Sequence, residues 1–157
     1  MGEAIRHEHD NGYGAGSQEC KQKAQPALDR PARRADVRQS VSAGLFVCHV
    51  AAWDAAGPTV LALHPGVADS RIWQWCAPAW ADAGYRVIAY DRRGFGETDY
   101  VAENHDDLVD LLAVTQATGS RPAVVVGNSM GGGLALDLAL AHPDHVTALV
   151  LIAPSPT

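Results

Sequence analysis

The feature that most constrains the fold of this chain is an apolar run that enters a glycine-rich turn and leaves it as a helix-forming run. The apolar run covers 123–126, the turn is a Gly-x-Ser-x-Gly pentad over 127–131, and alanine and leucine dominate the residues after Met130. This order predicts a buried strand, a sharp corner and a helix. It therefore favours an α/β fold in which Ser129 is held at the top of a sheet.

From Ala35 onward, short apolar runs alternate with segments of helical period. Strands are predicted over 37–43, 45–52, 59–63, 85–90, 123–126 and 146–152, and helices over 70–83, 105–118 and 130–141. This alternation predicts a three-layer α/β/α fold with a mostly parallel, doubly wound sheet. Ligands of such sheets lie at the carboxyl ends of the strands. The turns at 64–70, 91–98 and 127–131 should therefore gather at one edge.

Two helices carry a predicted buried face. The helix over 70–83 places Ile72, Trp75, Cys76 and Ala79 near one side. The helix over 105–118 has an apolar stripe at Leu108, Leu111, Leu112 and Thr115. We expect the four tryptophans, Trp53, Trp73, Trp75 and Trp80, to pack in the core or between helices.

Composition changes near residue 40 and limits the function classes. Residues 1–34 lack a strand or helix period and predict a flexible tail, whereas 35–157 predict one domain. The formal net charge is −6 without a dominant basic patch, so we expect no nucleic-acid partner. The N-terminus lacks a secretory signal, and no apolar run reaches the roughly 18 residues of a membrane span. These features predict a cytoplasmic protein without a membrane partner.

The pentad supplies the candidate catalytic residue. A serine hydroxyl at such a corner is exposed and becomes a nucleophile when a base takes its proton. Gly127 and Gly131 would permit close approach of strand and helix, with Asn128 as a supporting residue, and the Met130 N–H could stabilise an oxyanion. The alternative is a purely structural glycine-rich turn.

A second loop, beginning at His64, could provide another oxyanion donor. Pro65 has no N–H, so the donor would be Gly66 or Val67, and we favour Gly66. His64 itself could act as a base, but bracing of the loop by hydrogen bonds is the preferred interpretation. These residues are candidates for support of the site.

Charged residues cluster in two further places. Asp91 and Arg92 follow a predicted strand and could form an ion pair above the turn that contains Gly94 and Gly96. An acidic set surrounds the start of a predicted helix, where it would favour the helix dipole as a solvated face: Glu103, Asp106, Asp107 and Asp110.

Taken together, these three segments resemble the α/β-hydrolase superfamily. The resemblance covers residues 36–154 and includes the His64-Pro65-Gly66 loop, the Asp91–Gly96 turn and the corner at Ser129. It implies a serine hydrolase without metal or cofactor that acts on a small-molecule ester, lactone or diketone-type substrate. The pentad is similar to those of carbon–carbon bond hydrolases, and the 64–73 loop is more like those of lactonases and esterases. Pro65 departs from the usual glycine or alanine.

The resemblance also implies an acid and a histidine after the nucleophile, and these are hard to find. Asp137 would be roughly 12 Å along the outgoing helix, and His142 farther still. His145 precedes the last predicted strand at the opposite end of the sheet. We therefore expect the N-terminal part of the fold, truncated before the lid and last strands, with little activity on its own.

The truncation leaves an alternative function open. The strand over 146–152 would form a bare sheet edge, which could self-associate or bind a second chain. The protein would then be an inactive hydrolase fold that serves as an interaction module. A phosphate loop at 127–133 is a third interpretation, although the lysine of a P-loop is missing.

Overall fold

The computed structural model of the protein describes residues 35–43, 46–100 and 104–155. The predicted tail over 1–34 lies outside the described residues. Six strands and three α-helices are present in the described ranges: β1 (Val37–Ala43), β2 (Phe46–Trp53), β3 (Thr59–Leu63), α1 (Ala77–Asp82), β4 (Arg86–Tyr90), α2 (Asp107–Thr118), β5 (Ala123–Asn128), α3 (Met130–Ala141) and β6 (Val146–Ile152). Short 3₁₀ helices at Ser70–Trp75 and Pro143–His145 precede α1 and β6. None of these described helices combines the length and apolar character needed to cross a bilayer.

The six strands form one sheet in the order β1-β2-β4-β3-β5-β6. The β1–β2 and β2–β4 pairs are antiparallel, while β4, β3, β5 and β6 run parallel. The predicted mostly parallel sheet is therefore confirmed. Because β3 lies between β4 and β5, the strand order reverses beside it, and such a reversal opens a crevice at the carboxyl ends.

Alternating residues of each central strand feed two cores on opposite faces of the sheet. In β4, Val87 packs in the core that contains Trp73 and Ala77, whereas Ile88 packs in the core that contains Leu111 of α2 and residues of α3. This alternation follows from the two-residue period of a strand. Helices thus cover both faces, as a three-layer fold requires.

The helical segment at 70–83 differs from the prediction. It is a 3₁₀ helix followed by the short α1, with Pro78 in the first turn of α1. Three residues per turn instead of 3.6 rotate the buried face. Trp73 is consequently 4% exposed, whereas Trp75, predicted to pack, is 73% exposed.

The β6 strand forms an edge of the described sheet. It pairs with β5, and no described strand pairs with its other side. Val150 and Ile152 of this strand are 45% and 44% exposed. The expected bare edge is therefore present within the described residues.

Candidate active site

Ser129 forms the corner between β5 and α3. Its backbone angles are φ 52° and ψ −118°, a conformation that residues other than glycine rarely adopt. The Ser129 N–H donates to the Ile152 carbonyl at 2.9 Å, and the Ser129 carbonyl accepts from the Gly132 N–H at 2.8 Å. Backbone hydrogen bonds therefore hold the corner from the β6 side and the helix side. Ser129 remains partly exposed.

The glycines of the pentad allow three backbones to meet. A Cβ on Gly127 would collide with the Gly131 carbonyl oxygen. A Cβ on Gly131 would collide with the Leu63 carbonyl and would lie 2.6 Å from the His64 carbonyl oxygen. The start of α3 is thus pressed against the ends of both β5 and β3, where side chains cannot fit.

Gly66 and Met130 lie together beside this corner. A Cβ on Gly66 would overlap the Met130 Sδ atom and would lie 3.2 Å from its Cγ. Met130 opens α3, and the first N–H groups of a helix have no partner inside the helix. The structure thus places the two residues predicted to donate N–H groups next to each other. Val67, the other donor considered, has a side chain that is 96% exposed.

His64 is buried between the loop and the end of β4. Its Nδ1 lies 2.8 Å from the Pro65 carbonyl oxygen, and the Arg92 N–H donates to its Nε2 at 3.1 Å. Since a backbone N–H can only donate, Nε2 is the acceptor and Nδ1 carries the proton. Burial lowers the pKa of His64 and favours the neutral ring. Both ring nitrogens are engaged, which favours bracing over a role as base for Ser129.

Arg92 extends this bracing and was missed as a site residue by the sequence analysis. Its guanidinium is 3% exposed and donates to the His64 carbonyl at 3.2 Å and to the Asp107 carboxylate at 3.2 Å. It also lies over the Phe95 ring, 4.9 Å from the centroid. One buried cation therefore joins the candidate oxyanion loop to the start of α2.

The predicted ion pair between Asp91 and Arg92 is absent from the contacts of the described residues. The Asp91 carboxylate instead accepts the Ser70 N–H at 2.7 Å and the Glu97 N–H at 3.0 Å. A carboxylate that caps two backbone segments is already satisfied, and Arg92 turns to Asp107.

The acidic set at the start of α2 is also more engaged than a solvated face. Asp106 caps the helix by accepting the Leu108 N–H at 2.8 Å, as the dipole argument predicts. Asp110, however, is 7% exposed and accepts two hydrogen bonds from Arg93. The sequence offers no local signal for these pairs, because the arginines follow a strand and the aspartates lie on a helix. Glu103 lies outside the described residues.

A cleft of about 380 Å³ opens beside the corner, between the first turns of α2 and α3. Its lining is Arg92, His105, Asp106, Asp107, Leu108, Met130, Leu134 and Asp137. Ligand atoms of His105, Asp107 and Asp110 lie within 4.8 Å of one another, which is close enough to bind a metal. Both aspartates are paired with arginines, and that pairing favours an ion-pair network over a metal site.

The acids and histidines that follow Ser129 are not brought to it in the described part of the chain. Asp137 lies two turns along α3, and His142 ends that helix roughly 20 Å from Ser129. His145 stands at the start of β6, where its Nε2 lies 3.2 Å from Arg121 Nη1. His142 and His145 therefore lie beyond the far end of α3, and Asp137 lies between them and the corner, in the lining of the cleft.

Comparison with known proteins gives consistent matches. A family described as alpha/beta hydrolase fold matches residues 58–157. The chain is 36% identical over 105 residues to epoxide hydrolase B of Mycobacterium tuberculosis, an alignment that covers 64% of this chain and 30% of that protein. It is 40% identical over 104 residues to 2-hydroxymuconate semialdehyde hydrolase of a Pseudomonas strain, which covers 62% of this chain and 36% of that protein.

Solved structures give a similar result. An esterase from Exiguobacterium antarcticum superimposes with a TM-score of 0.66 and 27% identity, over 75% of this chain and 46% of that one. The chain spans about a third of the length of the curated relatives named above.

Proposed function

Because this chain belongs to the alpha/beta hydrolase fold family, we propose that it carries the nucleophile and the oxyanion donors of a serine hydrolase. The observation that carries this proposal is the conformation of Ser129. The residue is partly exposed, has a positive φ and lies between a buried strand and the first turn of a helix. Strain of this kind persists where the surrounding structure imposes it, often for function.

The proposed chemistry is acyl transfer. The Ser129 oxygen attacks a carbonyl carbon while its proton passes to a base supplied from outside this chain. Collapse of the tetrahedral intermediate then breaks the bond to the leaving group, which takes up that proton and leaves the acyl group on Ser129. In the intermediate, the former carbonyl oxygen carries a negative charge. The backbone N–H groups of Gly66 and Met130 stabilise that charge, and each such donor typically contributes roughly 2.7–4 kcal/mol to the transition state. His64 and Val67 support the first donor, and Asn128, Gly127 and Gly131 support the second.

We propose a small-molecule ester, lactone or diketone-type substrate. A hydroxyl nucleophile requires an electrophilic carbonyl, which all three classes offer. The similarity to the semialdehyde hydrolase and to the esterase supports this choice. A net charge of −6 disfavours a polyanionic partner such as nucleic acid.

The proposal includes weak activity for the chain as given. Because no base lies near its oxygen among the described residues, we expect Ser129 to be poorly activated, and an oxyanion hole alone supports only a small part of the rate of a complete triad. The acid and the histidine would come from polypeptide outside this chain. We therefore expect the chain as given to hydrolyse esters only slowly.

A fluorophosphonate probe with mass-spectrometric site mapping tests the proposal. We expect slow labelling confined to Ser129 in the native chain, and background labelling in Ser129→Ala. Modification of other serines at the same rate, or none at Ser129 above the Ser129→Ala background after a day, would overturn the nucleophile assignment. Labelling as fast as in a complete serine hydrolase would contradict the proposed absence of a base.

The exposed edge of β6 supports a second candidate, an interaction module without catalysis. Unpaired strand edges recruit other strands, and Val150, Leu151 and Ile152 expose apolar surface there. In that case Ser129→Ala leaves association with a second copy or a second chain unchanged. Sedimentation of the wild type and of Ser129→Ala over a range of concentrations separates this function from hydrolysis.

A further inference from the structure

We propose that Arg92 is the positioning residue that aims the Gly66 N–H at the oxyanion. The proposal rests on the proposed function, because it assigns a task to a residue next to that site. Arg92 does not itself touch the reacting atoms. It acts through His64, whose ring and carbonyl it contacts from the end of β4.

The first step of the argument is the peptide unit that joins Pro65 to Gly66. The Pro65 carbonyl and the Gly66 N–H belong to one planar trans unit, in which the two groups point in opposite directions. The His64 Nδ1–H holds the Pro65 oxygen at 2.8 Å. The Gly66 N–H therefore points away from the His64 Nδ1–H, and the His64 ring is one of the groups that orient this peptide unit, together with the Ala68 N–H at 3.4 Å from the same oxygen.

The second step is the hold on His64 from two sides. The Arg92 backbone N–H fixes Nε2, and the Arg92 guanidinium fixes the His64 carbonyl. Phe95 packs on both groups, with its ring 5.0 Å from the His64 ring and under the guanidinium. These contacts thus fix both the tautomer of the imidazole and the orientation of its ring.

The third step connects this hold to the other donor. The His64 carbonyl oxygen that accepts from Arg92 is also the atom against which Gly131 packs, with no room for a Cβ. Gly131 follows Met130 at the start of α3. Arg92 therefore contacts the point where the loop of Gly66 meets the helix that presents the Met130 N–H.

The fourth step is the anchor of Arg92. Its guanidinium is paired with Asp107 at 3.2 Å and is almost fully buried. A buried ion pair is weak evidence for stability, because the desolvation of both charges opposes their attraction. A role in fixing geometry gives a physical reason for the pair to occur at this position.

The neighbouring arginine offers a matched control. Arg93 also pairs with an aspartate of α2 and also lies over an aromatic ring, that of Phe46 at 4.1 Å. The Arg93 guanidinium is directed to Asp110 of α2, whereas that of Arg92 reaches the His64 carbonyl. The substitutions Arg92→Lys and Arg93→Lys therefore both replace a guanidinium by an ammonium beside an aspartate, but only the first alters the hold on His64.

Nuclear magnetic resonance of the full chain measures the geometry directly. We expect Arg92→Lys to shift the Gly66 amide signal and the His64 ring nitrogen signals, while Arg93→Lys leaves both at their wild-type positions. Fluorophosphonate labelling of Ser129 should slow by about tenfold in Arg92→Lys, a partial loss compared with the 10²–10³-fold effect of deleting a donor. Unchanged Gly66 and His64 signals in Arg92→Lys, or equal changes in both variants, would overturn the proposal.

A further variant keeps the test decisive if Arg92→Lys does not fold. Asp107→Asn retains Arg92 but removes its charged anchor, and we expect smaller shifts of the same signals. The absence of those shifts would contradict the proposal. The resonance measurement and the labelling measurement also separate failure of this inference from failure of the proposed function. The resonance signals report the positioning of Gly66 and His64 even if Ser129 is labelled in no variant.

Discussion

Substitution of Ser129 by glycine should make the protein more stable. At φ 52° and ψ −118°, a side chain at this corner is strained, and such conformations typically cost of order 1–3 kcal/mol. Glycine adopts a positive φ without that strain but loses more backbone entropy on folding, by about 0.5–1 kcal/mol. The net change in the free energy of unfolding should therefore be a gain of about 0.5–2 kcal/mol.

Urea denaturation of wild type, Ser129→Gly and Ser129→Ala measures this gain. With a slope of about 2 kcal/mol per molar, a gain of 1 kcal/mol moves the midpoint upward by about 0.5 M. Ser129→Ala retains the Cβ and hence the strain, so its midpoint should stay within about 0.5 kcal/mol of the wild type in free energy. Both variants lose the hydroxyl, which makes alanine the matched control.

The outcome separates a strained corner from an ordinary loop. If Ser129→Gly is no more stable than Ser129→Ala, the strain attributed to this backbone is not real. The residue Ala153, with φ 42°, provides an independent calibration because its side chain takes no part in the proposed chemistry. Ala153→Gly should also raise stability, by an amount that reflects the left-handed conformation alone.

Three further predictions concern packing, pH and association. Gly131→Ala should lower the free energy of unfolding by about 2 kcal/mol in urea denaturation, since the added methyl group meets the Leu63 and His64 carbonyls; an unchanged midpoint would contradict the close packing. Burial lowers the pKa of His64, so the unfolded state binds the extra proton first, and stability should fall as the pH drops below about 6.5, the ordinary pKa of a histidine; in His64→Asn this part of the slope should vanish, and an identical pH profile would contradict it. The exposed β6 edge should cause concentration-dependent association in sedimentation, and Val150→Lys should reduce it; equal association of Val150→Lys and wild type would place the contact elsewhere.

Much of the fold follows from local pattern. The bounds of β3, α3 and β6 were predicted to the residue, because each is set by a strong apolar run and a clear stop such as Pro143. The segment at 70–83 was misjudged because its 3₁₀ geometry depends on Asp69 as a cap and on Pro78, not on hydrophobic period. For the same reason Trp75, which was predicted to pack, is exposed to solvent.

Less of the candidate site than of the fold could be predicted from the sequence. The pentad predicts Ser129 and Met130, and the loop after β3 predicts Gly66, because each rests on a local pattern; the structure places Gly66 beside Met130, and their roles stay predictions. The partners of Arg92 and Asp110 were not identified, because an ion pair between a strand end and a helix depends on how the two pack. The substrate classes, the roles of the donors, the tail over 1–34 and a cytoplasmic location stay predictions.

The neighbouring positions of β3 and β5 have a consequence for the order of assembly. Gly66 follows the first of these strands and Met130 follows the second, and the two strands pair through the Thr59–Ala123 to Leu63–Gly127 register. Contacts so distant in sequence form late, after the loop-closure entropy has been overcome. A growing or partly folded polypeptide therefore contains the proposed nucleophile before the two proposed N–H donors lie side by side, so the proposed site is assembled only once the sheet is complete.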